Sequence, residues 1–332
     1  MRVAVIGGGS FGTAMAQLLA GKGYEVRMWL REPEQVRAIN EKHENTRYLP
    51  GFTLAPTLTA TTELAESLDR AELVVHATPS QTARAVMGQA ARFIPPHVPI
   101  VSVAKGIENG TLLTMTEVLE EALPEPMHPY IAVLSGPSFA KEIMQRLPTA
   151  VTIASNWDKV GAAAQKAFGT EFFRAYTLRD VVGVQLGGAL KNVIAIAAGC
   201  ADGLGLGHNT RAALITRGLA EITRVAVKRG ANPLTLSGLA GMGDLVLTCT
   251  GELSRNRTVG MALGKGRKLD EIVAEMNQVA EGVKTAVSAH DLARKAGVEL
   301  PICEQVYCIA HENKPAKQAV MDLMTRELKA EF

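Results

Sequence analysis

Residues Arg2–Lys22 read RVAVIGGGSFGTAMAQLLAGK. Arg2–Ile6 is a run of strand formers, Gly7–Gly12 has the spacing Gly-x-Gly-x-x-Gly, and Thr13–Lys22 is rich in alanine and leucine, as a helix is. A strand, this glycine spacing and a helix, in that order, are the context in which the motif binds a dinucleotide. Gly7 permits the tight turn, Gly9 lets the backbone approach a pyrophosphate, and Gly12 lets the helix pack on the strand. The free N–H groups and positive end of the helix favour phosphate charge. Directly behind a buried strand, the motif points to a dinucleotide-binding α/β fold rather than to an ordinary glycine-rich turn.

The second strand is expected at Glu25–Leu30. A site that selects NAD(H) carries Asp or Glu about 20 residues past the glycines, where it holds the ribose 2′-hydroxyl. Arg31 stands there, followed by Glu32. The guanidinium fork of arginine suits a 2′-phosphate, which tilts the cofactor toward NADP(H), while Glu32 leaves the choice open. Strand patterns recur at Leu58–Thr61, Leu73–Ala77, Pro99–Ala104, Tyr130–Leu134, Ala150–Ala154 and Phe172–Tyr176. They predict an α/β Rossmann-type domain with a mainly parallel sheet over residues 1–180. Beyond it only helical patterns remain, at Val181–Gly199, Arg211–Arg229, Ser254–Leu263, Leu269–Met276, Gly282–Lys295, Ile302–His311 and Gln318–Lys329. The switch predicts an all-α C-terminal domain over residues 181–332, with a ligand cleft at the junction.

The 332 residues are 47% hydrophobic and 20% charged, with a net charge of +2, as in an ordinary soluble globular protein. That balance gives no support to a nucleic-acid or membrane partner. The four cysteines, Cys200, Cys249, Cys303 and Cys308, lack metal-ligand or redox spacing and read as reduced thiols of a cytoplasmic protein. The seven histidines are scattered, so neither a metal site nor a hydrolase triad is expected. No signal peptide is expected, because the apolar run Val3–Ile6 is short and ends in glycines. The stretch nearest to a membrane span, Val181–Gly199, is interrupted by Gln185, Lys191 and Asn192.

Lys191 is the most informative of those interruptions. An ammonium is seldom buried without a partner, and the neighbours on its helical face are mostly small: Gly187, Gly188, Ala195 and Ala198, beside Val184. A lysine snorkelling out of a core helix would explain it equally well. Lys105 and the turn Gly136–Ser138 fall at the carboxyl ends of predicted strands, where open α/β sheets bind ligands. Asp244 stands among glycines and apolar residues and is able to pair with Lys191, or to form a simple turn between helices. Ser254 is placed to cap a helix whose first turn carries Arg255 and Asn256. Such a start suits a small phosphate or carboxylate, although a capped surface helix has the same pattern.

With these blocks together, nearly the whole chain resembles the bacterial NAD(P)-dependent glycerol-3-phosphate dehydrogenases. The resemblance rests on the glycine motif, VSVAKGIE around Lys105, SGPSFAKE at Ser135–Glu142 and GGALKNVIAIAAG at Gly187–Gly199. It continues through GLGLGHNTRAALITRGLAE at Gly203–Glu221, GMGDLVLTCTGELSRNRTVG at Gly241–Gly260 and VAEGVKTA at Val279–Ala286. The resemblance implies hydride transfer between C2 of glycerol 3-phosphate and C4 of a nicotinamide, without a metal. Lys191 would be the base, supported by Asp244, with Thr248 nearby. Lys105, Gly136, Ser138, Lys191, Asp244, Ser254, Arg255 and Asn256 would contact the substrate. Ser10, Phe11, Arg31, Lys105, Ala140, Arg255, Val279 and Glu281 would line the cofactor beside Gly7, Gly9 and Gly12. Phe11 stands where many relatives have tryptophan, and His208 where an acidic residue is common. The resemblance also implies a homodimer that feeds phospholipid synthesis.

The usual lysine pKa of about 10.4 is too high for a base at neutral pH. Burial and Lys105 are expected to lower that of Lys191, against Asp244. A related β-hydroxyacid dehydrogenase would place its lysine similarly but needs a carboxylate site, which Ser254–Arg257 fits less well than a phosphate. A non-catalytic dinucleotide sensor would keep the glycines and have no use for Lys191, Lys105 and Asp244.

Overall fold

In the computed structural model, which describes residues 1–276, 280–328 and 330–331, the apolar runs form eight strands. These are β1 (Arg2–Ile6), β2 (Glu25–Trp29), β3 (Leu58–Thr61), β4 (Leu73–His76), β5 (Ile100–Ser102), β6 (Ile131–Ser135), β7 (Thr149–Ala154) and β8 (Phe173–Leu178). One sheet holds them all in the order β3-β2-β1-β4-β5-β6-β7-β8. Every neighbouring pair is parallel except β6 with β7. The direction of winding reverses between β1 and β4, and such a switch point opens a crevice at the carboxyl ends of the strands. Val5 pairs there with Met28 on one side and Val75 on the other. All three are fully buried, which is why β1, β2 and β4 are rich in Val, Ile and Met at their centres.

The helices of this half are α1 (Ser10–Ala20), α2 (Pro33–Lys42), α3 (Leu64–Leu68), α4 (Ala83–Ala90), α5 (Met115–Ala122), α6 (Ala140–Met144) and α7 (Asp158–Phe168). After β8 the described residues form helices only. They are α8 (Val181–Gly203), α9 (Gly207–Lys228), α10 (Pro233–Leu236), α11 (Asp244–Thr250), α12 (Arg255–Gly264), α13 (Leu269–Ala274), α14 (Glu281–Ala296), α15 (Pro301–His311) and α16 (Ala316–Met324). A single π-turn, Leu239–Gly243, runs into α11.

The mainly parallel sheet and the helical second half agree with the sequence reading, with shifted edges. α1 begins at Ser10 rather than Thr13, so the glycine loop enters the helix directly. α8 runs four residues beyond Gly199. α11 was not anticipated, because a seven-residue helix between glycines leaves no periodic signal. α16 ends at Met324, and Lys329, which the sequence reading placed at its end, lies outside the described residues.

α8 is the axis of the second half. Asp180 starts it by accepting from Gly183 N at 2.8 Å, one of the orphan donors at a helix start. By length and composition α8 could cross a membrane, yet it is buried inside the protein. α9, α11, α12 and α14 wrap it. The contact with α12 is made by glycines. A Cβ at Gly199 would lie 2.1 Å from the Arg257 carbonyl oxygen, and one at Gly260 would lie 2.1 Å from that of Ile196. Gly203 and Gly264 repeat this one turn further on. The backbones therefore touch, and the start of α12 is held beside Lys191. In an open helix Gly260→Ala would stabilise by about 1 kcal/mol. Here the methyl group forces the helices apart, an overpacking cost of about 1–3 kcal/mol. The expected result is a lower thermal midpoint by calorimetry; a raised midpoint would mean that the helices do not touch.

Candidate active site

The glycine loop forms a cradle. Gly7 has φ +120, and its N–H donates to the Trp29 carbonyl at 3.0 Å. A Cβ there would sit 2.6 Å from the Ala77 carbonyl oxygen, and one at Gly12 2.2 Å from that of Gly7, whereas one at Gly9 would meet nothing within 4 Å. Two of the glycines thus bring backbones together, and the third leaves open space at the start of α1. That space fits a pyrophosphate approached by backbone N–H groups. Ser10 Oγ donates to the Tyr48 carbonyl at 2.6 Å, tying the cradle to the loop after α2. Phe11 lies under Lys105, whose Nζ is 5.7 Å from the ring centroid.

Lys105, just past β5, reaches the carboxyl end of the sheet, and α8 brings Lys191 to the same point. Between them lies Asp244, the first residue of α11. Lys191 Nζ donates to Asp244 Oδ1 and to Thr248 Oγ1 at 2.8 Å. Lys105 Nζ donates to Asp244 Oδ2 at 2.7 Å and to the Gly136 carbonyl at 3.0 Å. Thr248, one turn along α11, donates its own hydroxyl to the Asp244 carbonyl at 2.6 Å. One carboxylate thus spans two ammonium groups, with the Asp244 side chain 1% and the Lys191 side chain 8% exposed.

The electrostatics follow from that burial. Desolvation pushes the Lys191 pKa down to about 8; Asp244 pulls against it, and Lys105 adds to the lowering. For Asp244, desolvation favours the neutral acid, but Lys105 and Lys191 outweigh it and hold the carboxyl below its usual range. A buried anion between two cations is the arrangement that keeps all three groups in place.

The residues expected to contact the substrate are placed as follows. The Gly136 carbonyl accepts from Ser138 Oγ at 2.8 Å as well as from Lys105. Ser254 caps α12, accepting from Arg257 N at 3.3 Å. Asn256 turns inward: its Nδ2 donates to Asn192 Oδ1 at 2.9 Å, and its Oδ1 accepts from Gly282 N at 2.9 Å. Arg257 Nε donates to Asp202 at 2.7 Å, a carboxylate shared with Arg211. Arg255 keeps exposed surface; desolvation lowers its pKa and the charge of Glu281 raises it, the lowering prevailing.

Of the residues expected to line the cofactor, Ala140 opens α6 and Glu281 opens α14. Glu281 accepts from Ser80 N at 3.2 Å and from Ser80 Oγ at 2.6 Å, and burial raises its pKa. Arg31 stands apart from the lysines, past the end of β2, paired with Glu32. Val279 lies outside the described residues. His208, in the first turn of α9, is exposed.

Several residues tied to this region have no role in the sequence reading. Asn192 joins the Lys105 loop to α12, its Nδ2 lying 3.4 Å from the Lys105 carbonyl oxygen. Gln185 pins α8 to the start of α5, accepting from Thr116 N at 2.8 Å. Both were visible as polar breaks in an apolar helix, without partners. Ser80 carried no signal. His76 is wholly buried, its Nδ1 3.0 Å from Ser102 Oγ and its Nε2 2.7 Å from Thr78 Oγ1, and desolvation lowers its pKa to about 4. It therefore stays neutral and braces the ends of β4 and β5.

Among the described residues no group of three His, Cys, Asp or Glu side chains is placed to hold a metal. A separate groove of about 290 Å3, lined by Lys22, Arg146, Glu171 and Phe172 among others, shares no residue with this cleft. Its charges are engaged already: Lys22 donates to the carbonyls of Lys166, Ala167 and Gly169, and Arg146 pairs with Glu171.

Residues 2–161 match the family model of the NAD-dependent glycerol-3-phosphate dehydrogenase N-terminus, and residues 180–321 that of its C-terminus. A glycerol-3-phosphate dehydrogenase [NAD(P)+] of Myxococcus xanthus is 68% identical over 100% of this chain and 99% of its own. One of Anaeromyxobacter dehalogenans is 57% identical, with both chains covered in full. The crystal structure of glycerol-3-phosphate dehydrogenase from Coxiella burnetii superposes with a TM-score of 0.93 at 40% identity, covering 98% of this chain and 99% of that one. Matched by the models of both halves and by such relatives from end to end, the chain belongs to the NAD-dependent glycerol-3-phosphate dehydrogenase family.

Proposed function

We infer that this protein interconverts sn-glycerol 3-phosphate and dihydroxyacetone phosphate with NAD(H) or NADP(H), and that Lys191 moves the proton. The observation that carries the residue assignment is the buried Lys191–Asp244–Lys105 cluster beside the glycine cradle. Bound in the cradle, the dinucleotide supplies a hydride acceptor or donor at nicotinamide C4. In oxidation neutral Lys191 takes the proton of the C2 hydroxyl; in reduction its ammonium returns a proton to the ketone oxygen. Lys105 adds a second donor to the oxygen on C2, and Asp244, with Thr248, keeps the Lys191 amine aimed. Gly136 and Ser138 border the cleft, and Ser254 shapes the start of α12.

Arg255 and the backbone N–H groups of that helix start receive the phosphate. Asn256, engaged with Asn192 and Gly282, holds the turn in register. Ser10, Phe11, Ala140 and Glu281 would line the dinucleotide with Gly7, Gly9 and Gly12, and Arg31 would meet the ribose that carries the adenine. Residues 1–180 serve as the dinucleotide-binding unit and residues 181–332 as the all-α substrate unit. Family resemblance and four free thiols support a cytoplasmic homodimer supplying glycerol 3-phosphate to phospholipid synthesis.

The test is loss of the reduced-nicotinamide absorbance on adding dihydroxyacetone phosphate with NADPH or NADH in turn; no oxidation of either sinks the reading. In the same assay Arg255→Ala is expected to raise the KM for dihydroxyacetone phosphate roughly tenfold to a hundredfold, the value of a charge-assisted bond of about 1.5–3 kcal/mol. An unchanged KM removes Arg255 from the phosphate site.

A further inference from the structure

The place where a Rossmann fold reads the ribose 2′ position holds two opposite charges side by side. β2 ends at Trp29, Leu30 turns inward, and Arg31 and Glu32 follow. Arg31 Nη2 donates to Glu32 Oε1 at 3.0 Å, and the Tyr48 hydroxyl lies 3.4 Å from the same oxygen. The two partners are unequally held: the Arg31 side chain is 82% exposed and that of Glu32 20%. The Glu32 backbone starts α2, its carbonyl accepting from Gln35 N at 3.1 Å and Val36 N at 3.2 Å. Tyr48 is joined in turn to the glycine loop through Ser10. Glu32 is thus an anion fixed relative to the cradle, and Arg31 is a solvent-facing cation beside it.

The two charges make opposite demands on the cofactor. A carboxylate accepts from a 2′-hydroxyl and repels a 2′-phosphate; a guanidinium attracts the phosphate. An exposed ion pair between neighbouring residues is weak and screened by water, so Arg31 can leave Glu32 for a phosphate when one is present. We propose that Glu32 is the residue that keeps NAD(H) usable by this protein, opposing the preference of Arg31 for NADP(H). This rests on the assignment of the glycine cradle to the dinucleotide.

The experiment is calorimetric titration of the intact protein, and of Glu32→Gln and Arg31→Ala, with NADPH and with NADH. Glutamine keeps an acceptor for Arg31 and Tyr48 and removes only the charge. For Glu32→Gln the ratio Kd(NADH)/Kd(NADPH) is expected to rise at least fivefold, and the rise should shrink in high salt. Arg31→Ala should move the ratio the other way. A ratio within twofold of the parent for Glu32→Gln overturns the proposal. If Arg31→Ala still shifts its ratio in that case, the cofactor reading survives and only the role of Glu32 is lost. If the parent binds neither dinucleotide, the cradle assignment fails and the proposal with it.

Discussion

Lys191→Met should lower kcat on the order of 10²–10⁴-fold, the usual contribution of a positioned acid or base, while dinucleotide affinity stays at the parent value. Methionine keeps the aliphatic stem among the small residues of α8 and removes only the ammonium. Asp244 retains Lys105 as a partner, so no buried anion is stranded and the fold should persist. The parent enzyme should carry the signature of the lysine in its pH profile. With Lys191 as the base, alcohol oxidation needs the neutral amine, so its rate should rise with pH through about 8. Ketone reduction would need the ammonium, so its rate should fall through the same region.

Stability has a sign of its own. The native pKa lies below the unfolded one, so between about 8 and the usual lysine value the unfolded chain binds more protons. Stability therefore rises with pH across that window. Lys191→Met should lose that rise along with the kinetic pH dependence. Near-normal turnover in the variant would refute the assignment, and an unchanged pH profile would refute the titration.

Asp244→Asn is expected to have the second-largest effect, through a different route. The amide keeps the shape and removes the charge that two ammonium groups share. Taking one partner from a buried pair costs on the order of 3 kcal/mol, moderated because Lys191 can release its proton. That release is the diagnostic. Asp244 is the main influence holding the Lys191 pKa up against desolvation, so its loss moves the pKa further down. The rising limb of alcohol oxidation should shift to lower pH, and ketone reduction at neutral pH should suffer most because its proton donor is depleted. A lower thermal midpoint alone would fit a purely structural carboxylate. The displaced pH profile separates the two, and a profile unmoved in Asp244→Asn would assign the tuning elsewhere.

How far each feature could be read from the chain depended on the range of the interactions that make it. The glycine loop was legible because its turn, its open space and its helix start all lie within Gly7–Gly12, and local sterics enforce them. The strands were legible because a buried parallel sheet needs unbroken apolar runs. Lys191 was visible as a cation inside an apolar helix. Its meaning was not, since snorkelling and pairing leave the same local pattern. Asp244 is 53 residues from Lys191 and 139 from Lys105, and no periodicity spans those separations. Asn256 shows the reverse case: its place in a helix start suggested a phosphate or carboxylate contact, but its amide is engaged by Asn192 and Gly282.

What the sequence determined by itself was therefore the Rossmann-type sheet, the helical second half, the glycine loop at the start of α1 and, through motif resemblance, the chemistry. Only the tertiary structure decided that one carboxylate holds two lysines, that α12 lies against α8 through touching backbones, and that Asn256 turns inward. The reason is physical. Backbone geometry and hydrophobic period are properties of neighbouring residues, whereas a buried charge has no defined cost or pKa until distant groups exclude its water and supply its partners.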